Sequence, residues 1–485
     1  MKKNIGKSVE DPIVLPHVFG MRPGIYISII LAFIIILGIF LVAFLPGILK
    51  GGRNYRFTST SGPVSVTVDG KYLGGTPFET FIPSGRHEVV YGRNGIIVAS
   101  ETFTTKHPVF LTWLFPRRTN VEVPVRVFSS DEITLLTDDF LSTLARRSLI
   151  LSFDASYPFA PVFTPWARDM AAFATSSSAD MVSEVFSVGV AFITSPELLE
   201  DAKQAMQLLI KYGFIIKQDI LENAESVVSG TAGNDTQNTK NIVFSVPVPV
   251  KLSSSLFTVS GFAYAAGDFI MGDGIELALP DVIEKQINVY TKAFSLASSP
   301  VTEYQWALFM QENPYWSVDN KKQLVADGMV DESYLAGIYP SVSVPSHRPI
   351  RGISFHAAKA FTQWLSVLSG RHVYLPDEVQ WSRAAEQVPQ GDFLTSLSAL
   401  TETSLYPSGM LGGVWEMTQT VFMPLARAMD YTELQTLSTL MPDDVPIILK
   451  GGSYISDSRN ITRHTVGVAG PDECSDYMGF RVAWE

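Results

Sequence analysis

The stretch from Gly24 to Leu49, GIYISIILAFIIILGIFLVAFLPGIL, contains no charged residue. At 1.5 Å per residue it makes roughly 39 Å of helix, enough to cross a bilayer with some tilt. It is longer than the apolar region of a cleaved signal peptide, and no small-residue cleavage motif follows it, so it reads as a single uncleaved anchor. Lys2, Lys3, Lys7 and Arg22 precede the run, and Lys50, Arg53 and Arg56 follow it. That difference, though slight, favours residues 1–23 as a cytoplasmic tail and the bulk of the chain as extracytoplasmic.

The remaining length allows about three domains. The chain is 46% hydrophobic and 17% charged, which excludes a disordered polymer. Its net charge of −12, with no evident basic run, argues against gripping a phosphate backbone, so no nucleic-acid partner is expected. Cys474 is the single cysteine. An intramolecular disulfide and a multi-cysteine metal site are thereby excluded.

The C-terminal run is dense in spaced motifs. It opens with Phe269-Ile270-Met271-Gly272 and Val301-Thr302-Glu303-Tyr304. Pro349-Ile350-Arg351-Gly352-Ile353-Ser354-Phe355 follows, then Leu375-Pro376-Asp377-Glu378-Val379-Gln380-Trp381. Gly412-Gly413-Val414-Trp415-Glu416-Met417-Thr418, Gly451-Gly452-Ser453-Tyr454 and Gly479-Phe480-Arg481-Val482 complete the series. In this order the blocks resemble the formylglycine-generating (sulfatase-modifying) enzyme family, whose fold is an irregular relative of the C-type lectin fold. The resemblance implies an activity that oxidises a substrate cysteine, using two cysteines that bind Cu(I). Their positions correspond here to Ser456 and Ile461. A hydroxyl is a hard, weak donor for copper and isoleucine has no donor atom. The reading is therefore a degenerate member with no catalytic residue, and copper is not expected.

Nearer the anchor the period changes to two. Val64, Val66 and Val68 alternate with Ser65 and Thr67, and Asp69-Gly70 supplies the positive φ of a tight hairpin. Gly75-Thr76-Pro77, Pro83-Ser84-Gly85-Arg86 and a strand His87-Glu88-Val89-Val90-Tyr91 follow. The series resembles the PEGA domain, a binding or structural module found mostly on the outer side of bacterial membranes. Phe110-Leu111-Thr112-Trp113-Leu114-Phe115, with Arg117 and Arg118 behind it, is open to two readings. It is an interfacial membrane contact or, as favoured by its shortness, a buried strand or packing contact.

The middle of the chain reads as helical. Ser130-Asp131-Glu132 caps a helix through Arg147, and the span from Met170 to Phe192 is helical by composition. Ser195 and Pro196 start a further helix that Gly213 ends, with Leu198, Leu199, Ala202, Ala205, Met206, Leu209 and Ile210 on its core face. Ser226 to Asn241 has linker composition, and Val243 to Leu256 alternates like strand. No histidine lies between His107 and His347, so this region cannot supply the iron site found in some relatives of the C-terminal domain.

Several residues carry a functional and a structural reading. The resemblance assigns Glu416, with the carbonyls of Gly412 and Val414, to a structural calcium site, although the family's asparagine is Gly409 here. The alternative is Glu416 bonding local backbone amides. His464, with Ser453, Ser456, Asp457 and Ser458, could be drawn as a hydrolytic triad, but no nucleophile-elbow pattern supports it. His356, His372 and His464 are better read as solvated or hydrogen-bonded structural histidines. Trp364, Trp381 and Trp415 are core aromatics, and Cys474 a free, partly buried thiol.

The expected architecture is α+β: a tail (1–23), an anchor (24–49), a β-sandwich-like PEGA domain (55–128), a helical region (129–225), a linker and strand (226–256) and the formylglycine-generating-enzyme-like domain (257–485). The expected function is binding or scaffolding at the bacterial cell envelope. A protein or peptide partner would lie in a groove around Ser456, Ile461 and His464, with cell-wall contact through the β-domain. The alternative is an active copper oxidase rebuilt around Cys474.

Overall fold

A computed structural model describes the chain apart from residues 1–15, 17, 61, 113, 125, 154–156, 230–245, 273–286, 390, 399, 401–404 and 425–440. Most of the expected tail and most of the expected linker lie outside the described residues. Two compact units, Met1–Val127 and Phe128–Glu485, divide the chain.

In the first unit, Pro at the helix start and the uninterrupted apolar run give helix α1 (Pro23–Leu49), 27 residues long. It is long and apolar enough to cross a membrane. Its side chains are exposed almost throughout, and only Ala43 and Gly47 are buried. Among the described residues seven strands follow: β1 (Gly52–Thr58), β2 (Ser65–Val68), β3 (Lys71–Gly75), β4 (Phe78–Pro83), β5 (Gly85–Arg93), β6 (Ile96–Thr105) and β7 (Arg118–Glu122). They form one sheet in the order β4-β1-β7 and another in the order β3-β2-β5-β6. Side chains alternate across strands, so each sheet offers one apolar face. Tyr55 and Phe57 of β1 meet Phe103 of β6 and Tyr91 of β5 between the sheets. Val64, Val66, Val68, Val89 and Val98 fill the same core. The β2–β3 turn runs through Asp69 at φ 50° and Gly70 at φ 78°. Asp69 then accepts from the Glu88 amide and from His87, whose other ring nitrogen reaches the Pro83 carbonyl at 2.9 Å.

The run Phe110–Phe115 departs from the favoured expectation of a buried strand. It forms no strand, and Phe110, Leu114 and Phe115 are each more than half exposed. Trp113 lies outside the described residues. The packing half of that expectation does hold for Phe110, whose ring lies on Phe44 of α1.

The second unit begins with α2 (Ser130–Phe153), α3 (Phe163–Phe173), α4 (Ala179–Val190), α5 (Pro196–Lys211) and α6 (Glu222–Val228). Ser129, one residue earlier than expected, makes the reciprocal cap with Glu132, and α2 runs past Arg147. The Met170–Phe192 span holds the end of α3 and the whole of α4, because Ala174 turns extended after Phe173. Ser195 accepts from Leu198 as its sequence position predicts. Leu198, Ala202, Ala205 and Leu209 of the expected stripe are buried, whereas Ile210 is 40% exposed. Ser226 to Val228 are helical, where linker was expected.

Asp201 is a buried acid of this region. Its carboxylate accepts from the backbone amides of Val162, Phe163 and Thr164 at 2.7, 2.8 and 3.1 Å, which caps α3 from across the bundle.

The C-terminal part contains β8 (Val248–Ser253), β9 (Thr258–Tyr264), β10 (Gly267–Met271), β11 (Ile287–Thr291), β12 (Phe294–Ala297), α7 (Glu303–Glu312), α8 (Lys321–Ala326), α9 (Phe355–Ser369), β13 (Val373–Tyr374) and α10 (Glu378–Ala385). It closes with β14 (Trp415–Val421), β15 (Ile447–Lys450), β16 (Val466–Ala469), β17 (Met478–Gly479) and β18 (Ala483–Trp484). The main sheets run β13-β18-β12-β9-β8 and β16-β15-β14-β17. Trp306, Phe309, Phe361 and Phe480 form the aromatic centre of the core. Trp364 packs edge-on against Phe309 and donates to Glu312 at 2.8 Å. The helical region packs on this domain: Leu149 of α2 covers Ile448 and Phe422, while Asp444 takes Ser142 and Arg146.

Candidate functional site

The motif blocks that are separate in sequence meet in the core. Arg481 donates through Nε and Nη2 to both oxygens of Glu416, and Trp381 Nε1 adds a bond of 2.7 Å. Further Arg481 donors reach the carbonyls of Ala297 and Ser408 at 3.0 and 3.1 Å. Glu416, Arg481 and Trp381 are fully buried. A planar guanidinium facing a carboxylate, with its other donors satisfied, fits such a place. One node therefore ties together β14, α10, β12 and the strand region around Arg481.

This node bears on the calcium expectation for Glu416, Gly412 and Val414. The carboxylate already faces a full positive charge, so a divalent cation would have to displace or tolerate a guanidinium. Nor does Glu416 take up the alternative of bonding local amides, since its partners are side chains remote in sequence. A second buried pair lies nearby. Lys450, at the end of β15, reaches Glu378 at 3.5 Å, donates to the His464 carbonyl at 3.2 Å and sits over the Trp381 ring. Glu378 and Lys450 were not singled out in the sequence, although a lysine inside Ile447-Ile448-Leu449-Lys450 is the signal of a charge carried into a core.

The loop after β15 holds Ser456 and Ile461, the two positions to which the resemblance assigns cysteines. Gly451 and Gly452 have φ of 91° and 73°. A Cβ on Gly452 would stand 2.7 Å from the side chain of Ile461, so Ile461 fills the space above the glycine. Ile461 is buried. Ser456 bonds back into the same turn: its hydroxyl accepts from the Ser453 amide at 3.1 Å and meets the Ser453 hydroxyl at 3.2 Å. Asp457 is clasped by Arg459, whose guanidinium holds the carboxyl below the usual range. That engagement takes the aspartate of the imagined triad. Ile455 is 62% exposed and, with Asp457 and Arg459, forms the outward tip of the loop.

Two cavities among the described residues lie apart from the expected groove around Ser456, Ile461 and His464. One, of about 270 Å³, lies between β9, α7 and His347; another, of about 390 Å³, lies between α9, His372 and Asp443. Neither is lined by the three residues. His372 stacks on Tyr374, and His356 follows the Ser354 cap in the first turn of α9. Burial pushes His356 below its ordinary pKa, with Asp443 opposing.

Cys474 is buried in the principal core. Its amide donates to Asp331 at 3.1 Å, and its thiol lies 3.6 Å from the Asp472 carbonyl. Burial pushes the thiol well above its usual range. A thiol that resists ionisation is a poor metal ligand and a poor nucleophile.

Residues 262–409 and 396–485 match the sulfatase-modifying factor enzyme 1-like domain. An uncharacterized protein of Borreliella burgdorferi is 32% identical over 92 residues, which make up 19% of this chain and 18% of that protein. Among solved structures, PvdO from Pseudomonas aeruginosa aligns with 50% of this chain and all of its own, at 16% identity and a TM-score of 0.36. Treponema denticola variable protein 1 aligns with 49% of this chain and 99% of its own, at 12% identity and a TM-score of 0.33. The C-terminal half of this chain carries a domain of the sulfatase-modifying factor enzyme 1-like type.

Proposed function

We propose that this chain is a membrane-anchored, extracytoplasmic binding or scaffold protein of the cell envelope, built on a sulfatase-modifying factor domain that does not oxidise cysteine. One observation carries the reading. Where the family resemblance places two thiols, Ile461 is packed against Gly452 and Ser456 is bonded to Ser453, so the turn is filled and self-satisfied without a metal. Binding falls to the outward tip, Ile455, Asp457 and Arg459, where an apolar side chain stands beside paired charges that could read a polypeptide. The β-domain, with its PEGA-like Asp69-Gly70 turn locked to His87, serves as spacer or envelope contact.

The copper-oxidase alternative requires Cys474 as a thiolate, and its burial opposes that. The test pairs two measurements on the full chain. Cu(I) titration and conversion of a cysteine peptide should both be negative; conversion abolished by Cys474→Ser would overturn the reading. Crosslinking in native membranes should yield a stoichiometric protein partner that Ile455→Asp and Arg459→Glu each lose. Capture unaffected by both substitutions would remove the loop tip from the proposal.

A further inference from the structure

We propose that residues 107–112, with Leu114 and Phe115, form an interfacial membrane contact that lies in the headgroup zone beside the end of α1. The segment is fastened to the helix along its last two turns. The Leu111 amide donates to the Ala43 carbonyl at 2.7 Å, and His107 Nε2 lies 2.9 Å from the Gly47 carbonyl. His107 Nδ1 in turn meets Ser84 at 3.1 Å, which links the contact to the β-domain. Gly47 permits the approach, because a Cβ there would stand 2.3 Å from the Val109 carbonyl oxygen. Phe110 lies on Phe44 with ring centroids 5.2 Å apart.

Depth follows from helix length. At 1.5 Å per residue α1 is roughly 40 Å long, against a hydrocarbon core of about 30 Å and about 40–45 Å with the headgroup zones. Arg22 and Lys50 bracket it. With both charges among the headgroups, Ala43 stands about 9 Å inside Leu49, near the upper edge of the hydrocarbon. The loop bonded there cannot stay in bulk water while α1 spans the bilayer.

Its composition agrees with that depth. Val109, Phe110, Leu114 and Phe115 are exposed at 39, 54, 51 and 56%, an apolar cluster left about half open beyond the contact of Phe110 with Phe44. The backbone is provided for, since the Leu114 and Phe115 amides both donate to the Leu111 carbonyl. Non-helical backbone near lipid needs such internal partners. Arg117, two residues beyond Phe115 and exposed, is placed to meet lipid phosphate. The occupant is the lipid surface itself, by continuity with the anchor.

The proposal rests on α1 being a retained span, and the experiment separates the two. Full chains carrying Cys474→Ala and one new cysteine, Leu114→Cys or Phe115→Cys, are labelled with an environment-sensitive fluorophore in phosphatidylcholine–phosphatidylglycerol vesicles. Asn94→Cys is the control: it lies in the exposed turn beyond β5, about 30 Å of strand from the anchored end. Headgroup- and upper-chain nitroxide lipids should quench positions 114 and 115 at least about threefold more than position 94, and aqueous iodide should do the reverse. Iodide quenching at 114 and 115 equal to that at 94 overturns the proposal while leaving the anchor intact. Release of the protein by alkaline carbonate would overturn both.

Discussion

Arg481 and Glu416 illustrate how single residues decide the stability of the C-terminal domain. Removing one partner leaves a bare charge in a closed core, so Arg481→Met should cost about 3–5 kcal/mol. The double change with Glu416→Gln should cost less, because it removes the stranded charge. Urea unfolding of the detergent-solubilised chain would read both; equal losses would deny the pairing. Two histidines give opposite pH signatures. His87 is raised by its hydrogen bond to Asp69, so its stabilisation is complete below about pH 6.5 and fades as pH rises through its folded pKa. His356 is lowered, chiefly by burial, so the unfolded chain binds the proton more readily and stability falls as pH drops through about 6.5. Melting temperatures of His87→Gln and His356→Gln between pH 5 and 8 should accordingly flatten in opposite senses. The buried Cys474 should resist a thiol reagent in the folded chain and react at once after denaturation.

Among elements, α3 depends on a residue far from it in sequence. Asp201 on α5 satisfies three amides at the α3 start, so Asp201→Ala should cost about 2 kcal/mol and Asp201→Asn less, measured by the urea midpoint. The cap on α5 itself, Ser195 before Pro196, was legible because an N-cap acts within one turn of its own helix. Asp201 was not legible, since in sequence it is merely one acid inside an amphipathic helix. The same contrast separates the Asp69-Gly70 turn, read directly from local chemistry, from the segment of residues 107–112, 114 and 115. The latter reads as buried until Gly47 and Ala43 are seen to hold it against a helix.

Within the larger unit, Phe128–Glu485, the helical region and the C-terminal domain share apolar surface through α2. The polar part of that contact is exposed, so Arg146→Ala should cost under about 1 kcal/mol. Leu149→Asp, which places a charge over Ile448 and Phe422, should cost about 2 kcal/mol and split thermal unfolding into two steps. A single unchanged transition would mean that the helices contribute nothing to holding the domain.

By itself the sequence determined what depends on neighbours in the chain: a spanning-length apolar helix, hairpin turns, an N-cap, and an ordered set of blocks that marks the C-terminal domain type. It also placed serine and isoleucine where the resemblance has thiols. Tertiary structure alone decided where those blocks converge, that Glu416 faces Arg481, that Ile461 closes over Gly452, and that Cys474 lies in the core. The reason is physical: periodicity and turn chemistry act over a few residues, whereas the partner of a buried charge is chosen by packing across 65 positions of chain.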